Sequence, residues 1–190
     1  MVKKVRDLHK AFVTLEEWDA GAPFPHIVVR TSDSVAGLLY DATSDRVLLI
    51  RQQRPAMVRD DNPDGAITEM VAGRFDVKLS PKALLIKEAR EEAGVEITED
   101  EVELINRGVP MALSTGVLTE RCFGAFAIIR PDKVAKGDEG YGVPEEGEKI
   151  ARVWMSAEEF VNAQHADWRV WAFAQFLARR RLENQLATKR

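Results

Sequence analysis

The segment from Gly73 to Val95 constrains this chain more than any other. Ser80 suits a helix N-cap and Pro81 the first helical position. Gly94 can take the left-handed conformation that stops a helix. A helix is therefore predicted from Pro81 to about Ala93, with Leu84, Leu85 and Ala89 toward a core and the acidic residues facing outward. Glu88, Glu91 and Glu92 fall on about one turn of it, because positions i, i+3 and i+4 share a face. Three carboxylates so crowded repel one another, and a hard divalent cation such as magnesium relieves that repulsion through oxygen ligands. The run Lys-Glu-Ala-Arg-Glu-Glu also reads as a solvated helix face. The metal reading gains from the preceding Glu69-Met-Val-Ala-Gly73, a short apolar strand whose glycine lets backbone approach a ligand.

The 190 residues, 45% hydrophobic, suit one domain with a sizeable core. No apolar run approaches the ~18 residues of a membrane span. The N-terminal Met-Val-Lys-Lys-Val-Arg-Asp has no apolar stretch after it and does not read as a secretory signal. The single Cys122 lies in an apolar strand, excludes an internal disulfide and fits a reducing cytoplasm. A net charge of -4 argues against a nucleic-acid-binding surface. His9, His26 and His165 have no zinc spacing.

Strand-like runs occur at Phe12–Glu16, His26–Arg30, Val35–Asp41, Arg46–Gln52, Ile67–Ala72, Val102–Val109, Arg121–Ile129 and Ile150–Met155. Around Leu8, Phe12 and Leu15 the apolar spacing fits a helix as well. Asp41 to Asp45 reads as a hairpin turn. Ser156 and Glu159 form a capping box for a second helix. A third runs from about Trp168 toward Leu186, with Trp171, Phe173, Phe176 and Leu177 on its apolar side and a polar tail that frays. Strands, a helix, strands and then helices indicate an α+β fold. The glycine-rich acidic loop from Lys133 to Glu148 reads either as an active-site lid or as a mobile surface loop.

Gly73 to Val95 resembles the Nudix box, G-x5-E-x7-R-E-U-x-E-E-x-G-U, with U a bulky aliphatic. Gly73, Glu88, Glu91, Glu92, Gly94 and Val95 match. Leu79 replaces a glutamate, Lys87 an arginine, and Ala89 a larger aliphatic. Lys87 keeps the charge without the guanidinium fork. Further segments resemble the ADP-ribose and nucleoside-diphosphate-sugar pyrophosphatases: Val47 to Pro55, Glu69 to Gly73, Ser114 to Glu120, and Glu146 to Ile150. Thr115 stands where ADP-ribose enzymes carry proline.

The resemblance implies a Nudix fold, a mixed β-sheet sandwiched between helices with an N-terminal β extension. It implies one domain over 1–190, with about 1–33 as extension and 34–180 as core. It assigns magnesium, or manganese, to Glu88, Glu92, the Ala72 carbonyl and Glu148, with Glu91 as ligand or orienter. Glu146 is the preferred general base. Arg54 holds a phosphate and pairs with Glu69, and Arg51 assists. Ser114 and Glu120 lie toward the substrate, Glu120 at the terminal sugar. The implied activity is hydrolysis of a nucleotide sugar (ADP-ribose, GDP-mannose or similar) in a cytoplasmic homodimer. The alternatives are a Nudix-fold sensor that binds without turnover and, less in keeping with the extended N-terminal region, a nucleoside triphosphate hydrolase.

Overall fold

The computed structural model describes residues 2–188. Three strands, β1 (Lys3–Lys10), β2 (Thr14–Asp19) and β3 (His26–Arg30), form an antiparallel sheet of their own. The Leu8 to Leu15 ambiguity resolves into two strands, with Phe12 in the turn between them. Composition alone did not reveal β1, because its residues are all exposed and charges interrupt its apolar positions. Glu16, buried on β2, binds this sheet together. It accepts hydrogen bonds from Arg30 Nε (2.8 Å) and Nη2 (2.9 Å), Lys4 Nζ (3.0 Å) and Trp18 Nε1 (2.8 Å).

The larger sheet is built on β4 (Ser34–Asp41) and β5 (Arg46–Gln53), joined by the predicted hairpin turn. Asp41 holds that turn by accepting from the Thr43 N–H (2.8 Å) and the Ser44 hydroxyl (2.5 Å). Further strands are β6 (Ala66–Glu69), β7 (Val71–Arg74), β8 (Val102–Leu104), β9 (Met111–Ala112), β10 (Arg121–Ile128), β11 (Glu139–Tyr141) and β12 (Ile150–Ser156). The main path is β11-β12-β5-β4-β10-β8. The β4–β10 pair is parallel and its neighbours are antiparallel, so the sheet is mixed.

Alternation along the central strands supplies two cores. Val35, Leu39, Leu48, Ile50, Ala125 and Ala127 face α1 (Pro81–Ala93), which contributes Leu84, Leu85, Ala89 and Ala93. Ala36, Leu38, Val47, Leu49 and Phe126 face α2 (Ala157–Asn162) and α3 (Trp168–Thr188). The sheet thus lies between helices, as expected. The caps of α1 are those predicted: the Ser80 side chain accepts from the Ala83 N–H, and Gly94 sits at φ 60°, ψ 36°. The Ser156–Glu159 capping box opens α2.

Several expectations need correction. The single strand predicted over Ile67–Ala72 is two strands. The ladder between β4 and β5 splays; β6 pairs with the outer half of β5 and β7 with the outer half of β4, and buried Met70 marks the crossing. The strand predicted over Val102–Val109 ends at Leu104, before a turn in which Asn106 and Arg107 adopt positive φ. On α3, Val170, Phe173, Ala174 and Leu177 form the buried stripe at i, i+3, i+4 and i+7, whereas Trp171 is exposed. The helix itself runs to Thr188, close to the end expected near Leu186. Arg180 reaches Glu103 (2.6 Å), Arg181 reaches Asp45, and Arg179 pairs with Glu183 (2.8 Å) along the way.

Candidate active site

The splay of β4 from β5 positions the site. It brings β7 across the C-terminal half of α1, so that Ala72 and Gly73 lie directly against two of the acidic residues. The Ala72 N–H donates to Glu92 Oε2 at 3.0 Å. A Cβ at Gly73 would run into the carboxyl group of Glu88, which explains the glycine as a close-approach residue. Lys87 donates to Glu91 Oε2 at 2.6 Å and lies 3.4 Å from Glu88 Oε1. A lysine thus takes up the contact to a box glutamate that an arginine would otherwise make.

The acidic residues do not all face outward as predicted. Glu92 is only 3% exposed and Glu88 is half-buried. They turn into a cleft of about 430 Å³ that Ala72, Gly73, Glu91, Glu148, Arg54 and Glu69 also line. Burial pushes the Glu88 carboxyl up; Lys87 opposes this, and the charges of Glu91 and Glu148 add to it. Burial pushes Glu92 well above the usual carboxylate range, against the pull of the Ala72 N–H, and the charges of Glu88 and Glu148 push the same way.

Glu148 enters from the loop predicted as lid or surface segment. That loop carries β11 and a short 3₁₀ turn, Pro144–Glu146. Buried Arg152 ties it to the end of α1, donating to Ala93 O (3.1 Å), Ala135 O (2.9 Å) and Gly137 O. Glu148 Oε2 accepts from the Val143 N–H at 3.0 Å, which turns its carboxylate inward. The side chain of Glu146, the preferred general base, lies outside the described residues.

Arg54 leaves the end of β5 and donates from Nε to Glu69 Oε1 at 2.8 Å. The other oxygen of Glu69 meets Arg169 Nη2 at 3.4 Å, and Arg169 is held in turn by Asp167 (Nε 3.0 Å, Nη2 2.5 Å). One buried carboxylate therefore orients two guanidiniums. Glu120 accepts from Ser34 Oγ at 2.6 Å and also lines the cleft. Ser114 lies in a neighbouring hollow instead, and exposed Arg51 lines neither. Sequence reasoning missed Arg169, which sits 100 residues from Glu69; its only local signal is its place behind Asp167 at the start of α3. It also missed Phe12 and Arg74 at the cleft, where the ring lies 4.3 Å from the guanidinium carbon.

The donor set suits a hard divalent cation. Its groups are carboxylate oxygens of Glu88, Glu92 and Glu148, mutually repulsive, with no cation on Glu92 among the described residues beyond the more distant charge of Arg54. As they stand, no three acidic, histidine or cysteine side chains among the described residues are close enough to enclose an ion.

A mixed sheet between helices, with an acidic helix face turned onto a glycine-bearing strand, is the architecture of the Nudix class. The family profile described as NUDIX domain matches residues 30–176, and the chain belongs to that family. Its relatives include the GDP-mannose pyrophosphatases of Enterobacter sp. (strain 638), 33% identical over 109 residues (57% of this chain and 53% of the relative), and of Cronobacter sakazakii, 33% over 114 residues (60% and 56%). The corresponding protein of Salmonella arizonae is 32% identical over 119 residues, 63% of this chain and 58% of its own. The chain thus spans little more than half the length of the relatives it matches. No helix among the described residues is long and apolar enough to cross a membrane.

Proposed function

We propose that this protein hydrolyses the pyrophosphate bond of a nucleoside diphosphate sugar, GDP-mannose first among the candidates, to a nucleoside monophosphate and a sugar phosphate, using magnesium or manganese. The observation that carries this reading is the placement of Glu88, Glu92 and Glu148 in one cleft with Arg54. Acidic and basic groups facing a shared space match a diphosphate neutralised from two sides. The names of the relatives favour GDP-mannose, and Thr115 in place of proline weighs against ADP-ribose.

Glu88, Glu92, Glu148 and the Ala72 carbonyl would hold the cation, whose chemistry is shielding of phosphate charge and acidification of water. Arg54 binds phosphate oxygens with the amino groups that face away from Glu69. Glu69 fixes the guanidinium plane, so little orientation is lost on binding. Lys87 holds Glu91 against the helix. Water oxygen attacks one phosphorus, the bridging P–O bond breaks, and the water proton passes to a loop carboxylate, Glu146 or Glu148. A positioned base of this kind contributes ~10²–10⁴-fold. The bridging oxygen leaves on the second phosphate, and no protein nucleophile is needed.

The same reading takes the chain as one unit, 34–180 forming the core and about 1–33 the extension, working as a cytoplasmic homodimer.

The test is release of GMP or AMP from a panel of nucleotide sugars with magnesium, before and after EDTA. Turnover of GDP-mannose that stops on chelation and returns with magnesium or manganese supports the reading. Absence of turnover across the panel, together with tight nucleotide-sugar binding, would replace it with a sensor.

A further inference from the structure

The segment that carries Glu148 is built onto the end of α1. Carbonyls of the last helical turn have no partner within the helix, and this segment takes two of them. Glu91 O accepts from the Gly142 N–H at 3.0 Å, and Ala93 O from Arg152 Nη1 at 3.1 Å. The next carbonyl, Gly94 O, accepts from the Ala135 N–H at 2.8 Å. Arg152 stands at the centre of these contacts. Its Nη2 donates to Ala135 O and Gly137 O and meets Asp138 at 3.1 Å, and its guanidinium carbon lies 4.7 Å from the centre of the Tyr141 ring. Tyr141 fills the space over Gly94, where a Cβ would run into the ring, and donates its hydroxyl to Gly137 O at 3.0 Å.

From Tyr141 the contacts run on to the cleft. Gly142 packs so closely on Glu148 that a Cβ there would run into the Glu148 Cβ, and its φ of 92° favours glycine. The Val143 N–H then holds Glu148 Oε2 at 3.0 Å. Arg152 is a costly residue to bury here. Asp138, the carboxylate that meets it, is 60% exposed, and Arg152 Nε has no acceptor among the described residues. Apolar side chains often serve stability as well as a buried charge does. They cannot bind the end of α1 and the segment from Ala135 to Tyr141 through one planar fork.

We propose that Arg152 is a positioning residue: through Tyr141 and the turn at Gly142 and Val143 it holds the Glu148 carboxylate in the cleft with Glu88 and Glu92. The helix and the loop then present their carboxylates to the cation as one unit. This deepens the reading above and rests on it for the role of Glu148 as a ligand. Arg152 itself does not line the cleft.

The experiment titrates manganese, followed by electron paramagnetic resonance, into the full-length wild type, Arg152→Lys, Tyr141→Leu and Glu148→Gln, and into each of the first two variants combined with Glu148→Gln. Hydrogen exchange across residues 141–149 is followed in the metal-free proteins. Arg152→Lys keeps the charge and loses the fork, so the field at the cation changes little. Manganese affinity falls about tenfold in Arg152→Lys and in Tyr141→Leu, the scale of losing a group that orients a metal ligand. Exchange across 141–149 quickens severalfold in both. Neither change lowers affinity further in the Glu148→Gln background, because a residue that acts through Glu148 then has nothing left to position. Thermal midpoints confirm folding, and partly buried Tyr141 supplies a folded variant should Arg152→Lys unfold. Wild-type affinity in the two single variants overturns the assignment. So does unchanged exchange, or a loss that multiplies with that of Glu148→Gln. A wild type that binds no manganese, with exchange still quickened in both variants, would refute the cation reading and leave the hold on Glu148 standing.

Discussion

Gly73→Ala is the substitution whose consequence follows most directly from the structure. The added Cβ would meet Cγ, Cδ and Oε1 of Glu88 well inside the 3.4–4 Å of ordinary contact. The backbone of β7 is fixed by its ladder to β4, so Glu88 must give way, and its carboxylate moves by roughly 1 Å into the cleft. A misplacement of that size costs on the order of 10²-fold in rate. Stability should barely register it. Overpacking typically costs about 1–3 kcal/mol, with the lower end appropriate where a flexible side chain can swing into open space. Replacing glycine at a φ that alanine tolerates returns about 0.4–1 kcal/mol. A net cost of about 1 kcal/mol lowers the Tm of a chain of this size by about 2–4 °C. The assay is GMP release from GDP-mannose at saturating magnesium, alongside a thermal melt. A hundredfold loss of kcat with a nearly unchanged melt is expected. Wild-type kcat in a folded Gly73→Ala protein would show that the Glu88 carboxylate is not where the chemistry happens.

Two further predictions concern stability. Leu85 is fully buried and its methyl groups fill the space over Gly37, so Leu85→Ala should cost about 2–5 kcal/mol and lower Tm by about 5–15 °C; a smaller drop would mean that α1 can settle onto the sheet. Glu16 is held down to about 2, chiefly by its hydrogen bonds to Arg30 and, against the cost of burial, by Lys4 and Trp18. A depressed carboxyl stabilises the folded state above its ordinary value of about 4.5 and loses that contribution as pH falls through about 2. Denaturant midpoints should therefore fall over that window in wild type and fall less in Glu16→Gln, and parallel curves would refute the network.

What could be read from the sequence was what local chemistry determines. Ser80, Pro81 and Gly94 bound α1 by capping and backbone preference alone, and their predicted bounds match the observed helix. Val35–Asp41 and Arg46–Gln52 were legible as strands from their apolar runs, but a continuous run does not show which residues face which of the two cores. The break at Met70 escaped because it arises from the splay of β4 and β5, and an apolar run looks the same whether it pairs with one strand or two. Burial of Glu92 escaped for a related reason. Helical periodicity shows which residues share a face but not that β7 covers that face. Arg169 reaches the site only through the docking of α3, and Trp171 looked like a core residue because hydrophobicity alone cannot place it on the correct side of a helix whose stripe is Val170, Phe173, Ala174 and Leu177.

The central claim is that the Glu88–Glu92 face of α1 gathers a divalent cation. Manganese binding, followed by electron paramagnetic resonance in wild type and in Glu92→Gln, tests it without reliance on turnover. Wild type should deplete free manganese and Glu92→Gln should not, while its thermal midpoint matches or exceeds that of the metal-free wild type, since the change removes a buried charge. Equal manganese affinity in the two proteins would contradict the account.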